Sequence, residues 1–152
     1  MNHEYFMDIA IEEAKIAYTL NEVPIGCAIR YNDEVIARAH NMRNTGKNAL
    51  YHAEIVAIDM ACKHIGDWRL EDCHMYVTVE PCPMCAGAIV QARMKSITFG
   101  AKNKKAGSCG SVMNLLDNEG FNHRVIINES VRQAECAELM SNFFANLRNG
   151  AQ

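Results

Sequence analysis

A single α/β domain, built on a mixed sheet with helices on both faces, is the fold this sequence predicts. Two short β-type runs stand close together near the start, joined by a two-residue turn, which makes an antiparallel hairpin. After them strand-like and helix-like segments alternate, and a helix between two strands allows those strands to run parallel. With 152 residues, 49% hydrophobic and 22% charged, the chain has the size and composition of one globular domain over residues 1–152.

Residues 4–20 read as an amphipathic helix, with Phe6, Ile9, Ala10, Ala14, Ala17 and Leu20 at spacings of three and four. Pro24 closes that region. "IGCAIRY" and "EVIARAH" are strands joined by Asn32 and Asp33, and the polar stretch 41–50, "NMRNTGKNAL", is a loop. From His52 to Ile65 the apolar positions Ile55, Ile58, Cys62 and Ile65 recur at helical spacing, and Gly66 ends the helix. "HMYVTV" (74–79) is a strand, and Cys82 to Arg93 a helix rich in small residues. "SITFG" (96–100) and "RVIIN" (124–128) are further strands, followed by a helix over about 129–148. There is no internal repeat, low-complexity tract or linker.

Composition excludes several classes. No apolar run approaches the ~18 residues that span a bilayer, so no membrane partner is expected. The start "MNHEYFMDIA" carries acids where a signal peptide carries lysines, which predicts a cytoplasmic protein. Seven cysteines (27, 62, 73, 82, 85, 109 and 136) are odd in number and mostly scattered. In a reducing compartment that argues for buried thiols and one metal site, not a disulfide framework. The net charge of −3 does not advertise a nucleic-acid binder, but it is uneven. From Gln91 to Gly107 there are five cations (Arg93, Lys95, Lys102, Lys104, Lys105) and no acid. On charge alone such a run is a solvated face.

The chemistry concentrates in "VEPCPMCAGAI", residues 79–89, at a strand-to-helix junction, and in "HAE", His52 to Glu54, at another helix start. Free N–H groups and the helix dipole favour negative charge at both places and lower the pKa of a thiol there. A redox CxxC needs neither an upstream histidine nor a carboxylate. A closed structural zinc site needs a second ligand pair, and the remaining cysteines are isolated. A catalytic zinc takes three protein ligands and leaves one position for water, and His52, Cys82 and Cys85 supply three. The metal brings the pKa of its water toward neutrality, making hydroxide the nucleophile. Glu54 is placed to take the proton from that water and pass it to a ring nitrogen and then to a leaving amine. H-x-E with P-C-x-x-C is the known signature of the zinc nucleobase deaminases. His52 also begins the apolar stripe of its helix, and a histidine so placed alone would be read as a core residue; its company with Glu54 and "EPCPMC" sets it apart.

Over nearly its full length the chain resembles the bacterial tRNA-specific adenosine deaminases. The resemblance runs through "NEVPIGCAI", "HAEI", "VTVEPCPMCAGAI", "FGAKNKKAGSCGSVMNLL", "FNHRV" and "ECAELMSNFFANLR". It implies a three-layer α/β/α cytidine deaminase-like fold with a five-stranded mixed sheet, one zinc ion per chain and a homodimer. The implied reaction is adenosine to inosine at the wobble position of a tRNA anticodon, with the anticodon stem-loop as partner. By the same resemblance Asn41 hydrogen-bonds the flipped base, while Val23, Ala53 and Glu80 line its pocket. Phe144 stands near the substrate strand, and Lys102, Lys104 and Lys105 meet RNA phosphates. Two positions depart from the pattern: Asn103 replaces the usual Asp among these substrate contacts, and Tyr51 replaces a small residue before "HAE". Both bear on which strand or base is accepted, DNA included. A deaminase of free purine bases or nucleosides on the same scaffold is the alternative reading. A catalytically silent RNA-binding subunit is a second, against which Glu54 speaks.

Overall fold

The computed structural model describes residues 2–150. Its elements, in chain order, are α1 (His3–Thr19), β1 (Gly26–Tyr31), β2 (Glu34–His40), α2 (Ala53–Ile65), β3 (Cys73–Val79), α3 (Pro83–Gln91), β4 (Ser96–Ala101), β5 (Ile126–Asn128) and α4 (Gln133–Arg148). The five strands form one mixed sheet in the order β2-β1-β3-β4-β5. β1 is antiparallel to both β2 and β3, while β3, β4 and β5 run parallel.

Strand alternation sends side chains to two cores. Cys27, Ile29, Met75, Val77, Ile97 and Phe99 pack with Ala53, Ala57 and Ala61 of α2 and with Ala86, Ile89 and Val90 of α3. On the other face Tyr76 packs with Phe6, Met7, Ala10 and Ile11 of α1 and Cys136 of α4. The result is helices, sheet and helices in three layers, as the sequence predicts. α1 lies very close to the sheet: a Cβ on Gly26 would stand 1.9 Å from the Ala10 carbonyl oxygen.

Three details differ from the sequence reading. In α2 the buried positions are Ala53, Glu54, Ala57 and Ala61, and the stripe Ile55, Ile58, Cys62, Ile65 is only partly buried. Small alanines let the helix lie close to the sheet, which moves the larger side chains to its flanks. β5 is three residues rather than five, because the Val125 N–H bonds the Leu116 carbonyl instead of joining β4. The last helix starts at Gln133, since Ser130 and Arg132 adopt positive φ (65° and 58°) and interrupt helical geometry before it.

Candidate active site

Two helix starts meet just past the carboxyl end of β3. His52 is the N-cap of α2 (φ −72°, ψ 152°) and Cys82 the N-cap of α3 (φ −75°, ψ 175°), with Pro83 in the first turn. An N-cap is usually a Ser, Thr, Asp or Asn whose oxygen bonds the first turn. Neither His52 nor Cys82 caps its own helix, so both side chains remain available. His52 Nδ1 lies 3.7 Å from Cys82 Sγ and 3.5 Å from Cys85 Sγ, and the donor atoms of the three residues all fall within 4.8 Å of one another. Tetrahedral zinc, about 2.3 Å from sulfur and 2.0–2.1 Å from nitrogen, requires an N···S separation of about 3.6 Å. The donor set and its spacing fit that ion.

The two cysteines differ in how readily they lose a proton. The Cys82 thiol falls to about 4, chiefly through its hydrogen bond with Cys85 and with help from His52, against the opposing effect of burial. The Cys85 thiol moves far upward because it shares that bond and is buried. His52 is raised by its bond with Cys82. Glu54, only 4% exposed, is pushed up to about 7, mainly by burial and further by Cys82. A carboxyl near 7 can both accept and donate a proton under physiological conditions.

Beside this cluster is a cavity of about 100 Å³. It gathers His52, Ala53 and Glu54 with Val23 and Asn41, all singled out in the sequence, and adds Ile25 and Arg43. The Asn41 side chain is held firmly: Nδ2 donates to the Val23 carbonyl (3.3 Å) and Oδ1 accepts from the Arg43 N–H (3.0 Å). Glu22, fully buried, accepts from the N–H groups of Asn44 (3.1 Å) and Thr45 (2.6 Å), which ties down the loop carrying Arg43. These bonds hold its pKa down against burial. Sequence reasoning missed Arg43 and Glu22. Arg43 lies in a polar loop without periodicity, and a lone acid such as Glu22 gives no sign that it faces a loop twenty residues on.

The remaining predicted residues fall elsewhere. Glu80 is buried outside that cavity and binds a different loop. It accepts from the N–H groups of Asn103 (3.2 Å), Cys109 (3.0 Å) and Ser111 (3.0 Å) and from the Ser111 hydroxyl. Lys102, Lys104 and Lys105 are exposed on this loop, with Lys102 3.9 Å from Glu129. Asn103 Oδ1 accepts from the N–H groups of Lys105 and Ala106, closing a turn. Its side-chain Nδ2 takes no partner among the described residues, while its backbone N–H is the one bonded to Glu80. Tyr51 is exposed and leans over Gly46, and Phe144 on α4 is 39% exposed, its ring 5.4 Å from that of Phe143.

Comparison with known proteins places this arrangement. Residues 1–148 match the family described as MafB19-like deaminase. The tRNA-specific adenosine deaminase of Bacillus subtilis is 50% identical over 145 residues, covering 95% of this chain and 90% of that one. A solved structure from work on A-to-I editing by tRNA:A34 deaminases at the wobble position of transfer RNA superposes with a TM-score of 0.86 at 36% identity, covering 89% of this chain and 98% of that one. A guanine deaminase from Bacillus subtilis superposes with a TM-score of 0.66 at 29% identity, covering 98% and 95%.

Proposed function

The chain belongs to the MafB19-like deaminases and, among them, to the tRNA-specific adenosine deaminases, and on that premise we propose that it converts adenosine to inosine at the wobble position of a tRNA anticodon. The observation that carries the reading is the His52, Cys82, Cys85 cluster with buried Glu54 beside it, in a chain half identical to such an enzyme. His52 Nδ1 and the two cysteine sulfurs would hold one zinc ion, which when bound acidifies a water and so supplies a nucleophile at neutral pH. Glu54 would take one proton from that water and pass it to N1 of the purine as the water oxygen bonds to C6. It would then carry the remaining hydroxyl proton to the amino group, so that the C6–N bond breaks, ammonia leaves and the C6 oxygen becomes the carbonyl of inosine. Asn41 meets the base edge, and Val23 and Ala53 bound the slot in which it sits. Lys102, Lys104 and Lys105 engage backbone phosphates, and exposed Phe144 offers a surface for an unstacked base.

The scaffold alone does not choose the substrate, because a guanine deaminase shares it. Purified protein incubated with an anticodon stem-loop, free adenosine, adenine, guanine and cytidine separates the readings. Inosine in the stem-loop, with at least a hundredfold preference over the free compounds, is the expected result; turnover of guanine or adenine alone would replace it with free-base deamination. For the metal, Cys85→Ser should lose zinc by elemental analysis, and full occupancy in that variant would remove Cys85 from the ligand set. We also expect a cytoplasmic homodimer. Gly87 and Ala88 on α3 are only half-buried, and a Cβ at Gly87 would meet nothing within 4 Å, so this face has room for a second copy. Sedimentation should show twice the 17.0 kDa chain mass.

A further inference from the structure

At the other end of the sheet is a second cavity, of about 340 Å³, where β1 ends and β3 and β4 begin. Arg30, His74 and Lys95 line it together with Asp33 and Asp72. Arg30 and His74 are cross-strand partners, and Ser96 follows His74 in the same row across the sheet. The β1–β2 pairing shifts register between Ile29 and Arg30, an irregularity of the kind that re-aims a side chain.

Arg30 is the unusual member. It is 4% exposed, yet among the described residues its guanidinium bonds neutral groups only. Nε donates to the Tyr76 hydroxyl (3.1 Å) and Nη1 to the Asn32 carbonyl (2.9 Å). The rings of Phe6 and Tyr76 stand 5.2 and 5.9 Å from it. Nη2 takes no protein acceptor, and it is not sealed away, because no fully buried side-chain nitrogen or oxygen among the described residues lacks a partner. Arg30 is at the same time one of the residues that line the cavity. A buried cation that makes no direct ion pair is costly, and Arg30 makes none among the described residues: Asp33 and Asp72 line the same cavity without pairing to it, and Lys95 adds a second positive charge there. His74 Nδ1 lies 2.5 Å from Ser96 Oγ, so either tautomer leaves Nε2 available.

We propose that this cavity binds a phosphate group, as inorganic phosphate or a small phosphomonoester. Arg30 and Lys95 provide the charge and His74 a further hydrogen bond. Asp33 and Asp72 decide which oxyanion is accepted. A carboxylate repels a fully ionised anion such as sulfate, but it accepts a hydrogen bond from the P–OH that phosphate retains near neutral pH. Strands of this length, at about 3.3 Å per residue, put the cavity roughly 20 Å from the candidate active site, so it is a separate place on the fold.

The test is an NMR titration of the full chain with inorganic phosphate, following the Arg30 Nε–Hε and His74 ring resonances, with calorimetry for affinity. Both resonances should shift saturably, and sulfate should bind about tenfold more weakly or worse, the loss of one charge-assisted hydrogen bond. In Arg30→Gln the phosphate-induced shift of the His74 ring resonances should be abolished. Lys95→Ser, an exposed change that spares the core, should weaken phosphate by about tenfold. Asp33→Asn combined with Asp72→Asn should bring sulfate level with phosphate. Absence of any shift at these two residues in millimolar phosphate overturns the proposal, as does unchanged affinity in Lys95→Ser. An anticodon stem-loop titrated in parallel separates the sources: shifts at Arg30 and His74 with RNA, but none with phosphate, would make this an RNA contact and overturn the small-ligand reading.

Discussion

Replacing the Glu54 carboxylate by an amide of the same shape should leave zinc content and thermal melting unchanged while lowering kcat by roughly 10²–10⁴-fold or more, the contribution expected of a positioned proton carrier. Turnover within about tenfold of wild type would mean that another group moves the proton. His74 carries a different expectation. Burial, followed by Arg30 and Lys95, lowers its pKa to about 4 from 6.5. The folded chain thus takes up this proton less readily than the unfolded one, so stability is whole above 6.5 and falls as pH drops from 6.5 toward 4. Urea midpoints in phosphate-free buffer should show that fall, and His74→Gln should flatten it. The grouping of His52, Cys82 and Cys85 was legible at this scale, because they sit, with Glu54, in two short words at helix starts. Arg30 was not. Nothing local distinguishes an arginine in a strand from one at its exposed end, and its burial is decided by Phe6 and Tyr76, far off in sequence.

The segment from Asn103 to Ser111 owes its shape to one carboxylate. Glu80→Ala would release three backbone donors and a hydroxyl at once, leaving buried N–H groups without partners. We expect a loss of about 2–4 kcal/mol in stability, with zinc retained and kcat/KM for the stem-loop reduced mainly through KM. Normal KM in a folded variant would separate this loop from RNA binding. Among the elements themselves, helix positions were legible wherever periodicity was strong, as in α1. The orientation of α2 was not, because counting isoleucines as the inner stripe overlooks how closely an alanine face can approach a sheet. β5 was overestimated for a similar reason: "RVIIN" has strand propensity throughout, but the carbonyl of Leu116 captures the Val125 N–H first.

At the scale of the molecule, charge and layer order act together. Removing Lys102, Lys104 and Lys105 should weaken RNA broadly and reduce the slope of log K against log salt by about 2, at ~0.7 per single-strand phosphate contact. An unchanged slope would return the run to an ordinary solvated face. The three layers were legible in the alternation of strand and helix, but the strand order was not: it places β1 at the centre of the antiparallel half, between its hairpin partner and a strand that begins only at Cys73. That arrangement has a consequence in time. A β1–β2 hairpin can close in about 1–10 μs once its residues leave the ribosome, yet the other edge of β1 waits for β3. At about 5–20 residues per second, the chain from Tyr31 to Cys73 takes roughly 2–8 s to be made. Through those seconds the nascent protein carries an unpaired edge, Cys27 to Arg30, that later lies buried in the middle of the sheet. Synthesis is thus a period in which this fold is open to mispairing.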